Sequence, residues 1–206
     1  MAVLASLGAW ELKVQPPLLL IVREQIKPAS QVVYDRTETE IRRTCQRWGC
    51  PNAYIALTAS PREVWWLTAW SSQAEIDRAG ALYKANAALE ARLAPLNARK
   101  RSLTDEPVTT LAKAAGEAPF SLAGARFVTV TPAGPRTAGS GAVYALPDGR
   151  RIALEASAVR PRRLRPGGVL LTVQPKWSLP PPVLADADPA FWKAGAPGGG
   201  TQPALR

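Results

Sequence analysis

Histidine is absent from the 206 residues, cysteine occurs twice and methionine once, and acidic side chains are outnumbered 26 to 16 by basic ones. The missing imidazole excludes Ser-His-Asp and Cys-His nucleophile pairs, His-based general acid/base chemistry, His-ligated haem and nearly every zinc or non-haem iron site. Two cysteines alone cannot close a four-ligand metal site. Cys45 and Cys50, five apart, leave a disulfide open but read first as two reduced thiols, the first on a buried helix face and the second in the loop that follows. Long apolar runs are missing too: Pro16 to Val22 is far too short to cross a bilayer and reads as a buried strand. The apolar start MAVLASLGAW has no basic residue before it and is broken by Glu11 and Lys13, so the reading has no signal peptide, no membrane partner and a cytoplasmic location.

What is present is a formal charge of +10, unevenly spread. Residues 1 to 120 carry 15 basic and 12 acidic groups, residues 121 to 206 carry 11 and 4, so the excess sits in the back half. Its densest point is a basic patch of Arg160, Arg162, Arg163 and Arg165, which could pair with phosphates or with acidic groups on an RNA or protein partner. The patch lacks interleaved aromatics and belongs to no nucleic-acid motif, which favours a solvated loop and argues against nucleic acid.

Proline and glycine divide the chain at the same place, 12 in the first 120 residues and 23 in the last 86, so a regular front precedes a turn-rich back. Leu18 to Ile26 is continuously apolar for five residues, as in a strand covered on both faces. Ser30 to Trp48 sets Val33, Ile41, Cys45 and Trp48 on one helical stripe, stopped by Gly49. Ala53 to Thr58 and Val64 to Trp70 form a hairpin whose second strand is apolar on both faces. Ser72 to Glu75 has capping-box spacing, opening a helix that runs to about Asn97. Residues 98 to 124 read as a structured excursion with a short helix around Val108 to Ala115, and Arg126 to Thr131 as the fourth strand. Further back, Asp148-Gly149 marks a hairpin turn, Gly168 to Gln174 one more strand, and Asp188-Pro189 a helical start anchoring Phe191 and Trp192.

The front then reads β-α-β-β-α-β, the ferredoxin-like α+β order, with two helices on one face of the sheet. The other face needs cover as well, from the back half or from a second subunit. The segments LLLIVREQIKP and IALTASPREVWWLTAWSSQAEIDRA resemble the dimeric α/β-barrel superfamily, similar to antibiotic-biosynthesis-monooxygenase-type and NIPSNAP-type domains, over residues 17 to 131. The resemblance implies a homodimer whose two sheets close a barrel around a pocket. Some members oxidise polyphenols without a cofactor; others degrade haem with a histidine, which this chain lacks. The domain plan is an arm over 1–16, a ferredoxin-like domain over 17–133, a β-rich extension over 134–192 and a disordered tail over 193–206.

Candidate pocket residues follow from residue type and strand position. Trp66 and Trp70 share a strand face and present large aromatic walls, Tyr34 or Tyr54 could supply a phenol, and either Arg23 or Glu24 should approach the barrel interior. No complete catalytic constellation matches position by position, so no catalytic residue is assigned, no metal and no cofactor is expected, and enzyme activity is left open. The functional expectation is a small-ligand-binding or assembly module taking a small aromatic molecule. The alternatives are a cofactor-independent monooxygenase acting on an aromatic substrate and, more weakly, an RNA or acidic-partner binder.

Overall fold

The computed structural model describes residues 15–134 and 141–194, so the expected arm and tail lie mostly outside the described residues. The chain runs β1 (Leu18–Gln25), α1 (Gln31–Trp48), β2 (Ile55–Ser60), β3 (Glu63–Trp70), α2 (Gln73–Ala85), α3 (Ala87–Leu103), β4 (Val108–Ala114), β5 (Phe127–Pro132), β6 (Ala142–Ala145), β7 (Arg151–Ser157), β8 (Val169–Val173), α4 (Pro182–Ala187) and α5 (Pro189–Ala194).

All eight strands close into one antiparallel barrel in the order β1-β3-β2-β8-β5-β7-β6-β4. This corrects the expectation of a ferredoxin-like α+β sheet that pairs with a second copy as a dimeric α/β barrel. The staves expected from a partner are β5 to β8 of the same chain, so closing the barrel requires no homodimer. The fourth strand is also corrected. Val108–Ala114, expected to be helical, extends along β1 from Leu18↔Lys113 to Arg23↔Val108, because its β-branched Val-Thr-Thr start suits a pleated strand. The segment taken for the fourth strand is β5, which lies between β7 and β8.

Neighbour order repeats across the halves: β4-β1-β3-β2 in front, β8-β5-β7-β6 behind. Two short seams join them. β2 meets β8 at Leu57↔Val173 and Thr58↔Thr172, and β4 meets β6 at Lys113↔Ala145 and Ala114↔Tyr144, against eight paired positions between β1 and β3.

Strand alternation sorts the side chains. Leu19, Ile21, Leu57, Trp65, Leu67, Val128, Leu154 and Leu171 share one core cluster inside the barrel, joined by Phe120 and Leu122 of the β4–β5 connection, Leu184 of α4 and Trp192 of α5. Burying each such side chain contributes about 1.5–3 kcal/mol. The interior is a filled core. The opposite faces of the front strands carry Val64 and Trp66, which pack with Ile26, Tyr34, Ala56 and Trp177 beneath the helix layer.

Helix boundaries follow local chemistry. In α1 the buried stripe is Tyr34, Thr37, Glu38, Ile41, Arg42 and Cys45, turned from the expected one, and Val33 is exposed. Gly49 ends the helix at φ +75, its N–H donating to the Cys45 carbonyl. Cys45 and Cys50 form a disulfide with Cα atoms 4.6 Å apart, where free thiols were expected. The expected single helix after Ser72 is two, broken at Asn86, whose side chain accepts from Leu89 N–H and so caps α3. The Ser72 cap forms, Oγ accepting from Glu75 N–H at 3.2 Å. The Asp148-Gly149 turn closes between β6 and β7 with Gly149 at φ +83. Asp188 Oδ1 accepts from Phe191 N–H at the head of α5, and Trp192 is buried.

Candidate functional site

α1 and α3 pack side by side and enclose a cavity of about 600 Å³ against the outer face of β1 and β3. Its floor comes from Val22, Glu24, Trp66 and Thr68, its walls from Glu38, Ile41 and Cys45 of α1 and Leu93, Ala94, Asn97 and Lys100 of α3, and its rim from Asn52, Tyr83 and Lys84. The expected barrel-interior pocket is therefore displaced. The interior is packed with apolar side chains, and the cavity lies between barrel and helices.

Lys100 is the hub of a buried charge cluster. Its Nζ lies 2.9 Å from Glu24 Oε1 and 2.8 Å from Glu38 Oε1, and 4.3 Å from the ring centre of Trp66. The second oxygen of Glu24 accepts from Tyr34 Oη at 2.7 Å and from Trp66 Nε1 at 3.0 Å. Three side chains, from α1, β3 and α3, thus meet at the Glu24 carboxylate of β1, and the two carboxylates share one ammonium. Burial raises the Glu38 carboxyl above the ordinary carboxylate range despite Lys100 nearby. Lys100 is held above its ordinary value, because Glu38 and Glu24 together outweigh its desolvation. Burial, with Glu38 and Glu24 adding to it, raises the Tyr34 phenol. At the rim, burial pushes Tyr83 up to about 12, and its hydroxyl donates to Asn52 Oδ1 at 2.9 Å.

Tyr54 stands apart from this network. Its backbone is clamped by a two-way bridge to Leu179, N–H to carbonyl at 2.9 Å each way, and its ring meets Trp66 edge-on at 5.7 Å. The phenol is buried, lines the cavity and has no hydrogen-bond partner among the described residues. Burial, with the Glu38 charge adding to it, raises it well above the ordinary phenol value.

Of the residues singled out from sequence, Glu24, Tyr54 and Trp66 line this one cavity, and Trp70 does not. Trp70 is buried on β3 opposite Leu18. Arg23 points the other way from Glu24, its guanidinium 4.7 Å over the Trp65 ring and donating to Glu63 at 3.1 Å. Arg160, Arg162, Arg163 and Arg165 lie exposed on the β7–β8 loop, where Arg165 comes within 3.9 Å of Glu155. Glu38 and Lys100 were missed. A carboxylate four residues after Tyr34 and three before Ile41, on a helix stripe that must be buried, is the signal that could have found Glu38.

No family model and no curated protein matches the chain. Among solved structures it is similar to a "putative monooxygenase" of Fusobacterium nucleatum, with TM-score 0.48 and 9% identity over 77% of this chain and 92% of that one. It is also similar to a "putative monooxygenase" of Lactobacillus acidophilus, with TM-score 0.46 and 8% identity over 77% and 94%. No residue role passes from those proteins to this chain.

Proposed function

We propose that this protein binds a small, largely apolar ligand carrying a hydrogen-bond acceptor, in the cavity between α1, α3 and the outer face of β1 and β3. The observation that carries the reading is the Tyr54 phenol, buried in the cavity wall without a hydrogen-bond partner among the described residues. A buried hydroxyl left unpaired costs about 1–3 kcal/mol, and a ligand carbonyl or ether oxygen would recover it. Trp66, Tyr83, Val22, Ile41 and Leu93 supply the apolar and aromatic contact that a flat ring needs. Lys100, already engaged by two carboxylates, orients Glu24 and Trp66 and leaves Tyr54 as a donor without a partner among the described residues.

The test is calorimetric titration with benzophenone, which has an acceptor, and naphthalene, which has none. Benzophenone should bind the more tightly, and Tyr54→Phe should weaken it about tenfold while leaving naphthalene unchanged, the size of one neutral hydrogen bond. Equal loss for both compounds, or no binding of either, would sink the reading. Cofactor-independent oxygenation of an aromatic substrate would use the same cavity. Oxygen uptake on adding an electron-rich phenol would move the assignment from binding to catalysis.

A further inference from the structure

On the side of the α1/α3 pair away from that cavity lies a groove of about 530 Å³, lined by Glu40, Arg43, Thr44, Arg47 and Trp48 of α1 and by Ala91, Arg92, Pro95, Leu96 and Arg99 of α3. Four guanidinium groups converge there with a single carboxylate. Arg99 donates to Glu40 at 3.2 Å, which leaves Arg43, Arg47 and Arg92 with no carboxylate partner among the described residues. Arg43 and Arg47 are four apart on one helix, a like-charge spacing that destabilises the helix, and Arg92 faces them from α3. Two of the three guanidinium groups are oriented by an aromatic ring. Those of Arg92 and Arg47 lie 4.2 and 6.0 Å from the centre of the Trp48 ring, which spends its π-faces on orienting cations.

From this arrangement we infer that the groove is a binding site for a soluble oligophosphate, an anion carrying two or more phosphoryl groups. Guanidinium forks match phosphoryl oxygens two at a time, and three free forks exceed what a single phosphate can use. Length favours a short ligand over a nucleic-acid strand. Glu40 and Trp48, the outermost lining residues along α1, are about 12 Å apart at 1.5 Å per residue, and the Trp48 ring that could stack a base is occupied by arginine. The site is independent of the apolar cavity, because it uses the opposite faces of the same two helices.

The experiment is isothermal titration of the full chain with inorganic tripolyphosphate, orthophosphate and an eight-nucleotide single-stranded RNA at about 50 mM salt, where phosphate contacts are least screened. Tripolyphosphate should bind at least about tenfold more tightly than orthophosphate, and Arg43→Gln with Arg47→Gln should weaken it by a similar factor. Both positions are solvent-exposed, and circular dichroism verifies that the variant is folded. Arg162→Gln with Arg163→Gln on the β7–β8 loop removes the same charge elsewhere and should leave the affinity within about twofold. No binding, or an equal loss in the loop variant, would overturn the proposal. RNA binding more tightly than tripolyphosphate per phosphate would overturn the oligophosphate assignment and hand the groove to a nucleic acid.

Discussion

The two halves of the barrel arrange their strands in the same neighbour order but connect them differently, and the buried ion cluster around Lys100 lies in the front one. In front, α1 links β1 to β2 and α2 with α3 links β3 to β4, giving a second layer over the sheet. Behind, residues 158–168 link β7 to β8 without a helix, and the outward Thr129 and Thr131 of β5 are nonetheless buried. A covered face must be apolar or fully paired; an open one need only be small or polar. Where helices supply cover, the strands become apolar on both sides, and a cavity with a buried ion cluster can exist between the layers. Where they do not, the outward β5 residues are small hydroxyl side chains, and no cluster like that of Lys100 lies against them among the described residues.

The largest expected effect tests that contrast directly. Lys100→Met leaves Glu24 and Glu38 buried without their shared cation and should destabilise the fold by about 3–5 kcal/mol. Asp188→Asn breaks the more exposed back-half pair with Arg126 and should cost about 1 kcal/mol or less. Urea unfolding of both variants measures the difference, and similar losses would erase the distinction between the halves. Inside the barrel the comparison should vanish. Leu57→Ala in β2 and Leu171→Ala in β8 each remove a fully buried side chain from the same core cluster and should each cost about 2–5 kcal/mol in one transition. Two transitions would mean that the short seams β2–β8 and β4–β6 fail to couple the halves.

Strand alternation and punctuation were readable where cover was ordinary. β1, the β2–β3 hairpin, the Asp148-Gly149 turn and the Asp188-Pro189 start all sit where apolar period and turn chemistry put them. The closed barrel was not readable, because a doubly apolar strand reveals only that both faces are covered and is silent on whose chain does it. The repeat in strand order was hidden for a related reason: the connections differ, so the halves share no pattern of length or composition. Val108–Ala114 was misread because seven residues flanked by a loop suit a short helix or an edge strand equally, and only pairing with β1 decides. In the site, Glu24, Tyr54 and Trp66 stood out as polar or aromatic residues next to apolar strands. Lys100 could not, since an Arg-Lys-Arg run at a helix end looks like solvated charge until α3 is docked.

Acid and base should separate the two layers as well. The Glu38 carboxyl is raised in the fold chiefly by burial, so the folded chain holds its proton where the unfolded chain has released it. The associated stability is fully present below the unfolded value of about 4.3 and is lost as pH rises through the raised folded value. Glu38→Gln removes that dependence. Wild type minus Glu38→Gln, measured as the difference in Tm across pH 4 to 8, should fall as pH rises. A difference that is flat, or that rises, would show that the Lys100 pairing outweighs burial at this carboxylate. Lys100 itself titrates above this window, its raised value keeping it charged throughout.

The smallest effect is the most specific to the front cavity. Tyr54→Phe deletes a buried hydroxyl that has no partner among the described residues and keeps the ring that packs on Trp66. Removing an unsatisfied polar group should stabilise the ligand-free protein by about 1 kcal/mol, whereas losing a hydrogen-bonded phenol destabilises by a similar amount. Tyr34→Phe provides that contrast in the same layer, since its hydroxyl donates to Glu24 at 2.7 Å. Opposite signs for the two variants in thermal unfolding would mark Tyr54 as a donor kept at the expense of stability, as a binding role requires. Equal losses would mean that both phenols serve the fold alone, and the cavity would then lose the one group that distinguishes it from a packing defect between barrel and helices.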